Sequence, residues 1–406
     1  MSNRRPHIRQ VTAALSCFAV AILLLAPSLS IRADQEPQPT SADQPQPEPQ
    51  PVARPESALE RLRPFADFRF RYEHDLLKGR PDRDRSRIRF RLGATFGITD
   101  DVLVGARLVT GNREDPNSTH QTLGDLFRDF EVGLDRAFLN WRPGWKADPR
   151  LTVGKFAHPF DVNPIYGELV WDADVQPEGL LAELDWRDFG VDSLTWAIGG
   201  YFVLETRETS DASVAVTQPV VRQRLSEGLN SSWALGYYYY SNLTPGGETE
   251  VVGVNRGNAV VDLDGDGVPD EYVSEFGILN PVIALTFDRW RYPLVLSAEY
   301  ILNHRANIDE DQGWAIGLSV GRPGSEARNW LAYYQWQVVQ RDAVFSPVAQ
   351  DDFLQATNYR GHVSGLRYQF LKRVEAHLWA LVSRPDQATG GAEDEWRLRL
   401  DINTRF

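Results

Sequence analysis

The densest group of ligand-type side chains in the sequence is the run Asp262, Leu263, Asp264, Gly265, Asp266, Gly267, Val268, Pro269, Asp270. Carboxylates at alternate positions, with glycine at the sixth for a tight turn, suit a hard cation that takes oxygen ligands. Calcium held by Asp262, Asp264, Asp266 and Asp270 is the expectation; a merely solvated acidic loop tip would carry the same residues. A second group is cationic: Arg69, Arg71, Arg89, Arg91, Arg107 and Arg136, several of them two residues apart. Guanidinium forks match carboxylate and phosphate ligands better than ammonium does. Arginine far outnumbers lysine, present only as Lys78, Lys146, Lys155 and Lys372, although a nucleotide bias in the genome would give the same excess. A third group sets Asp161, Glu168, Asp172 and Asp174 beside Phe160, Tyr166 and Trp171.

The aspartate run resembles the calcium loops of EF-hand, dockerin and thrombospondin repeats. It departs from the EF-hand at the twelfth position, where Val273 replaces the bidentate Glu and Glu271 lies off register. Without helical flanks, its expected role is to stiffen the loop that carries it.

Signals for catalysis are weak. The one cysteine, Cys17, lies in an apolar N-terminal stretch, which leaves no thiol nucleophile or cysteine metal site in the rest of the chain. Gly317 to Gly321 spells the nucleophile-elbow string around Ser319, but that string has meaning only between a strand and a helix, and here it lies along a strand. No histidine has a serine partner that the spacing places beside it.

The elements that must carry these groups follow from composition and period. With 406 residues, 42% hydrophobic, and a formal charge of −13, the chain should fold and is no basic nucleic-acid binder. Residues 1–33 read as a signal peptide: Arg4, Arg5 and Arg9 precede an apolar core too short to span a bilayer as a helix. Removing that leader with its four arginines leaves 39 of the 43 basic residues against 56 acidic ones, a mature charge of about −17. Residues 34–62 are rich in Pro, Gln and Glu and form a flexible spacer without a core of their own.

From Phe65 onward, apolar and polar residues alternate. Ile88, Phe90, Leu92, Ala94 and Phe96 share one face of an extended segment, and Arg87, Arg89, Arg91, Gly93 and Thr95 the other. Sixteen such segments begin near residues 65, 85, 101, 130, 149, 178, 193, 214, 231, 277, 293, 311, 328, 357, 373 and 394. Every second connection is short, and the others include long segments at 112–129, 158–177, 242–276 and 342–356. Strands of this length with alternating short and long connections predict an all-β transmembrane antiparallel barrel, residues 63–406, with short periplasmic turns and long outer loops.

The run from Arg85 to Gly111, "RSRIRFRLGATFGITDDVLVGARLVTG", with "STHQTLGD" at 118–125, "LDRAFLNW" at 134–141 and "LTVGKFAHPF" at 151–160, resembles the putative porin family of Gram-negative outer membranes. The last strand, closed by Phe406, is similar to the C-terminal signal read by the barrel-assembly machinery, with Thr404 where an aromatic is common. The resemblance implies a passive, water-filled channel in the outer membrane, in contact with its lipid and lipopolysaccharide, and a homotrimer by likeness to general porins. It further implies that the 158–177 loop folds inward to face the arginine wall as a constriction. The expectation is passage of small hydrophilic solutes, with anions favoured, and no catalytic residue. Rival readings are a substrate-specific or polysaccharide-exporting channel using Tyr238, Tyr240 and Trp379, a barrel hydrolase, and a plugged structural barrel.

Overall fold

Because alternation places every second side chain on the same face, one sheet built from these segments has a greasy side and a charged side, and closing it on itself hides the charged one. The computed structural model describes residues 59–112, 115–145, 148–186, 190–205, 210–243, 250–387 and 393–406. The leader and most of the spacer therefore lie outside the described residues.

Sixteen strands form the barrel: β1 Leu62–Leu76, β2 Arg83–Gly97, β3 Val102–Thr110, β4 Val132–Trp141, β5 Arg150–Lys155, β6 Glu178–Trp186, β7 Ser193–Leu204 and β8 Ala212–Ser226. The second half comprises β9 Leu229–Ser241, β10 Gly277–Phe287, β11 Leu294–Asn303, β12 Gln312–Gly321, β13 Trp330–Val339, β14 Tyr359–Leu371, β15 Val374–Pro385 and β16 Glu395–Arg405. Each begins within three residues of its expected start. Neighbours in sequence pair antiparallel, and β16 returns to β1 with Asp67 opposite Arg405 and Leu76 opposite Trp396. Beyond the strand ends, Ala66 and Phe406 exchange backbone hydrogen bonds of 2.8 and 3.0 Å. Closure leaves no sheet edge, which a backbone in hydrocarbon requires.

The direction of the faces separates this barrel from a soluble sandwich. Along β16, Leu398 and Leu400 are 39% and 40% exposed, whereas Arg399 and Asp401 between them are 2% and 0% exposed. Apolar residues face out and charged ones in, the inverse of a water-soluble β-protein and the pattern a lipid surface selects.

Long connections gather at one end. β5 is short because the chain leaves the wall at Phe156, whose N–H donates to the Pro177 carbonyl at 3.0 Å and closes the neck of an excursion into the lumen. Residues 340–358 make a second excursion, with Ala343, Val344, Ser346 and Ala349 fully buried. Together with Val251, Val252 and Phe276 from the 242–276 connection, these loops build an apolar core inside the outer half of the barrel. Two wall glycines make room for them. A Cβ on Gly317 would lie 3.0 Å from the Ile165 side chain, and one on Gly361 2.7 Å from the Phe353 ring. The glycine of the elbow-like string thus seats a loop rather than shaping a nucleophile turn.

Candidate pore constriction

The 156–177 loop crosses the lumen on a series of polar anchors. Asp161 N–H donates to Gln218 Oε1 at 2.7 Å, Gln218 Nε2 returns a bond to the Asp161 carbonyl at 2.9 Å, and Arg222 pairs with the Asp161 carboxylate. Ser297 Oγ donates to Asn163 Oδ1 at 2.7 Å, and Tyr166 exchanges backbone bonds with the Gln335 amide at 3.2 and 3.1 Å. The loop returns along 340–358 through Gln350 N–H to Glu168 O at 3.0 Å and Asp172 N–H to Val348 O at 2.8 Å. Rings fill what remains: His158 stacks on Trp171 with centroids 4.4 Å apart, against Tyr201 and Tyr238. Burial in this apolar setting holds the His158 imidazole neutral, with its pKa pushed down to about 3.

Opposite the loop stand the arginines, at the odd positions that alternation turns inward. Arg71 donates to both oxygens of Asp401 at 2.8 and 3.0 Å, and Arg69 to Asn403 Oδ1 at 2.7 Å. Arg91 reaches Asp67 at 2.7 Å, and Arg89 lies 3.3 Å from Asp67 and 3.4 Å from Asp174. Between this wall and the two inward loops is a cavity of about 410 Å³, lined by Arg69, Arg71, Arg89 and Arg91 and by Glu168, Asp172 and Asp174. The remaining residues of the expected set lie elsewhere. Arg107 pairs with Asp135 at 2.5 Å, Arg136 donates to Gln176 at 2.7 Å, and neither they nor Asp161 lines the cavity.

Sequence reading missed the counterions. Asp67, Glu73 and Asp75 share the inward face of β1 with Arg69 and Arg71, so alternation alone could have found them. Asp351 and Asp352 come from the second inward loop, whose entry no local period marks. Glu73, completely buried, accepts from Arg399 Nε at 2.5 Å and pairs with Arg85; Asp75 takes Arg397 at 2.7 Å; Arg399 also pairs with Asp352 and stacks on Trp379 at 4.8 Å. This network crosses the seam where the first and last strands meet.

The loop carboxylates fall into two kinds. Burial, reinforced by the Asp352 charge at Glu168 and the Glu168 charge at Asp172, raises both well above the usual carboxylate range, and burial with the Asp352 charge brings Asp351 up to about 6. Burial also opposes ionisation of Asp174 and Asp352, but Arg89 and Arg91 outweigh it at the first, and Arg399 and Arg71 take the second down to about 2. A raised carboxyl binds its proton more tightly when the loops are docked, so docking weakens as pH rises from the free carboxylate range through about 6. Limited proteolysis of the folded barrel should therefore cut 156–177 faster at pH 8 than at pH 4.5, once protease activity is normalised; equal rates would contradict the assignment.

In the 262–270 loop, carboxylate oxygens of Asp262, Asp264 and Asp270 lie within 4.8 Å of one another, on a tip carried by the two-residue strands Val260–Val261 and Glu271–Tyr272. Asp266, the fourth expected ligand, is not in that group; like the other three carboxylates it accepts from a backbone N–H, that of Val268 at 2.7 Å. Asp262 accepts from Gly265 and Gly267 at 2.6 and 2.8 Å, turns that the φ of +79° and +89° at Gly265 and Gly267 make possible.

Residues 66–266 match the family described as "Putative porin". No curated protein matches the chain. Among solved structures, Pseudomonas putida OprB at high pH is similar with a TM-score of 0.55 and 12% identity, over 86% of this chain and 95% of that one. Salmonella typhi OmpF in complex with daunomycin gives 0.50 and 12%, over 85% and 97%. A loop L8 deletion mutant of Vibrio cholerae OmpT gives 0.50 and 10%, over 85% and 100%. At these identities the structures establish a shared barrel, and the family match carries the function. Through residues 66–266 the chain belongs to the putative porin family, and its barrel is a porin channel of the Gram-negative outer membrane.

Proposed function

We propose that the channel passes small hydrophilic solutes by passive diffusion and favours anions, without a catalytic residue. The observation that carries this reading is the charge of the cavity, where a wall of arginines faces loop acids of which Glu168, Asp172 and Asp351 hold protons more tightly than ordinary carboxylates. Such a site keeps a cationic excess despite its count of acids, and charges in a narrow, partly desolvated passage act more strongly than in bulk water. Reversal potential across a bilayer under a KCl gradient tests it; a cation-favouring sign overturns it.

A sugar-specific or polysaccharide-exporting channel finds less support. Tyr238 lies beneath His158, Phe160 and Trp171, and Tyr240 against Phe345, so both rings are buried by the loops rather than set in an open stacking track. Ser319 lies within β12, two residues before its end, opposite Tyr333 and Val295, with no base or acid in register, which supports the non-enzymatic reading.

The same proposal includes residues 1–33 as the export signal, Phe406 as part of the signal to the assembly machinery, contact with lipopolysaccharide and a homotrimer, for which cross-linking in outer-membrane vesicles is the test. Calcium binding at Asp262, Asp264, Asp266 and Asp270 is also proposed, supported by the convergence of three of those carboxylates. Isothermal titration with calcium should give a weak site, in the range of about 0.1 to 1 mM typical of extracellular modules. That heat should vanish in Asp262→Asn/Asp264→Asn; an unchanged titration in the double variant sinks the site.

A further inference from the structure

One stretch of the cavity wall, where β2 meets the second outer loop, has more hydrogen-bond donors than acceptors to receive them. Arg87 donates through Nη2 to Ser118 Oγ at 2.9 Å and to the His120 carbonyl at 3.4 Å, both uncharged, and its Nε has no partner. Among the described residues Arg87 forms no ion pair, whereas Arg85 and Arg89 on either side meet Glu73 and Asp67. Arg89, 6% exposed, also leaves Nε without a partner and meets its acids only at 3.3 and 3.4 Å. His120, 8% exposed, has an unpartnered Nε2, and the charges around it are the guanidiniums of Arg71, Arg69, Arg89 and Arg87. Burial and that cationic field keep its imidazole neutral.

Unspent buried donors are costly unless an acceptor reaches them, and an acceptor bearing negative charge gains most in a site already cationic. Arg87, Ser118 and His120 line both the 410 Å³ cavity and an adjoining pocket of about 500 Å³ on the side of the second loop. We infer that this wall is a binding site for a small oxyanion, a carboxylate or phosphate group, held by Arg87 and Arg89 with Ser118 and His120 as it passes between the two pockets. The planar forks receive two oxygens at once, and the neutral imidazole adds a bond without adding charge. The inference rests on the channel reading and gives that channel a substrate class: solutes that carry an oxyanion bind on the way through and saturate, whereas neutral solutes of the same size do not.

The test is single-channel recording in KCl with added sodium phosphate or sodium succinate, on the wild-type protein, Arg87→Gln, His120→Ala and the control Arg150→Gln, whose arginine meets Glu183 away from the cavity. The expected result is saturable reduction of the KCl current by one or both anions in wild type and control, weakened about tenfold in Arg87→Gln and less in His120→Ala. Phosphate alone acting assigns a phosphate site, and succinate alone a carboxylate site. Wild-type channels that conduct KCl but are indifferent to both anions overturn the site and leave the channel standing, as does an Arg87→Gln protein that is folded by its gel mobility and blocked with unchanged affinity. Absence of any KCl conductance overturns the channel reading itself.

Discussion

Removing residues 160–175 and joining the ends is expected to raise single-channel conductance several-fold while leaving the barrel folded. The excision takes out Leu169, Val170 and Trp171, buried inside the wall rather than part of it, and none of the sixteen strands loses a residue. It also takes out Asp174, a partner of Arg89 and Arg91, so the widened pore should favour anions more strongly than the intact one. Pore cross-section and the charges at the narrowest point set conductance and selectivity. The measurement is conductance and reversal potential in a planar bilayer, beside the heat-dependent gel shift that reports a folded barrel. Unchanged conductance in a folded deletion protein would mean that the loop does not form the constriction.

Glu73→Gln should destabilise the barrel by about 3 kcal/mol. The substitution preserves shape and removes only charge. Glu73 is fully buried, and Arg399 and Arg85 pair with it while Arg397 lies 3.7 Å away, so three guanidiniums lose a shared counterion at the closing seam. Asp75 remains for Arg397 at 2.7 Å and for Arg85 at 3.3 Å, and Asp352 for Arg399, which keeps the loss near the lower end of what breaking a buried pair costs. The exposed pair Arg128 to Asp125 at 3.6 Å is the contrast: Arg128→Ala should change stability by less than about 0.5 kcal/mol. The temperature at which the folded band converts to the unfolded one in detergent gels reads both. Equal midpoints for Glu73→Gln and wild type would show the seam network to be water-screened and of little consequence.

Much of the barrel was legible because its determinants are local. A period of two over ten residues, broken by short turns such as Thr99 to Asp101, defines a strand and its facing without knowledge of any other strand, and the parity of sixteen follows from the turns. The inward position of Arg69, Arg71, Arg89 and Arg91 was legible for the same reason. What those arginines meet was less so. Asp401 reaches Arg71 across 330 positions, and that pairing exists only once the sheet closes. The inward path of 340–358 was hidden altogether: its anchors, such as the Asn117 amide bond to Ala349 O at 2.8 Å, join two connections that the sequence presents as unrelated outer loops. In the sequence Gly317 stands out only as the start of an elbow-like string, and the room that it and Gly361 make for the loops appears only with Ile165 and Phe353 against them.

Planar-bilayer recording of the refolded full-length protein, in symmetrical KCl and then under a KCl gradient, tests directly whether the barrel conducts. An open, anion-favouring channel gives stable, discrete conductance steps with a reversal potential of the matching sign. No steps from protein whose gel shift shows folded barrels would contradict it, and a barrel sealed by its two inward loops would take the channel's place.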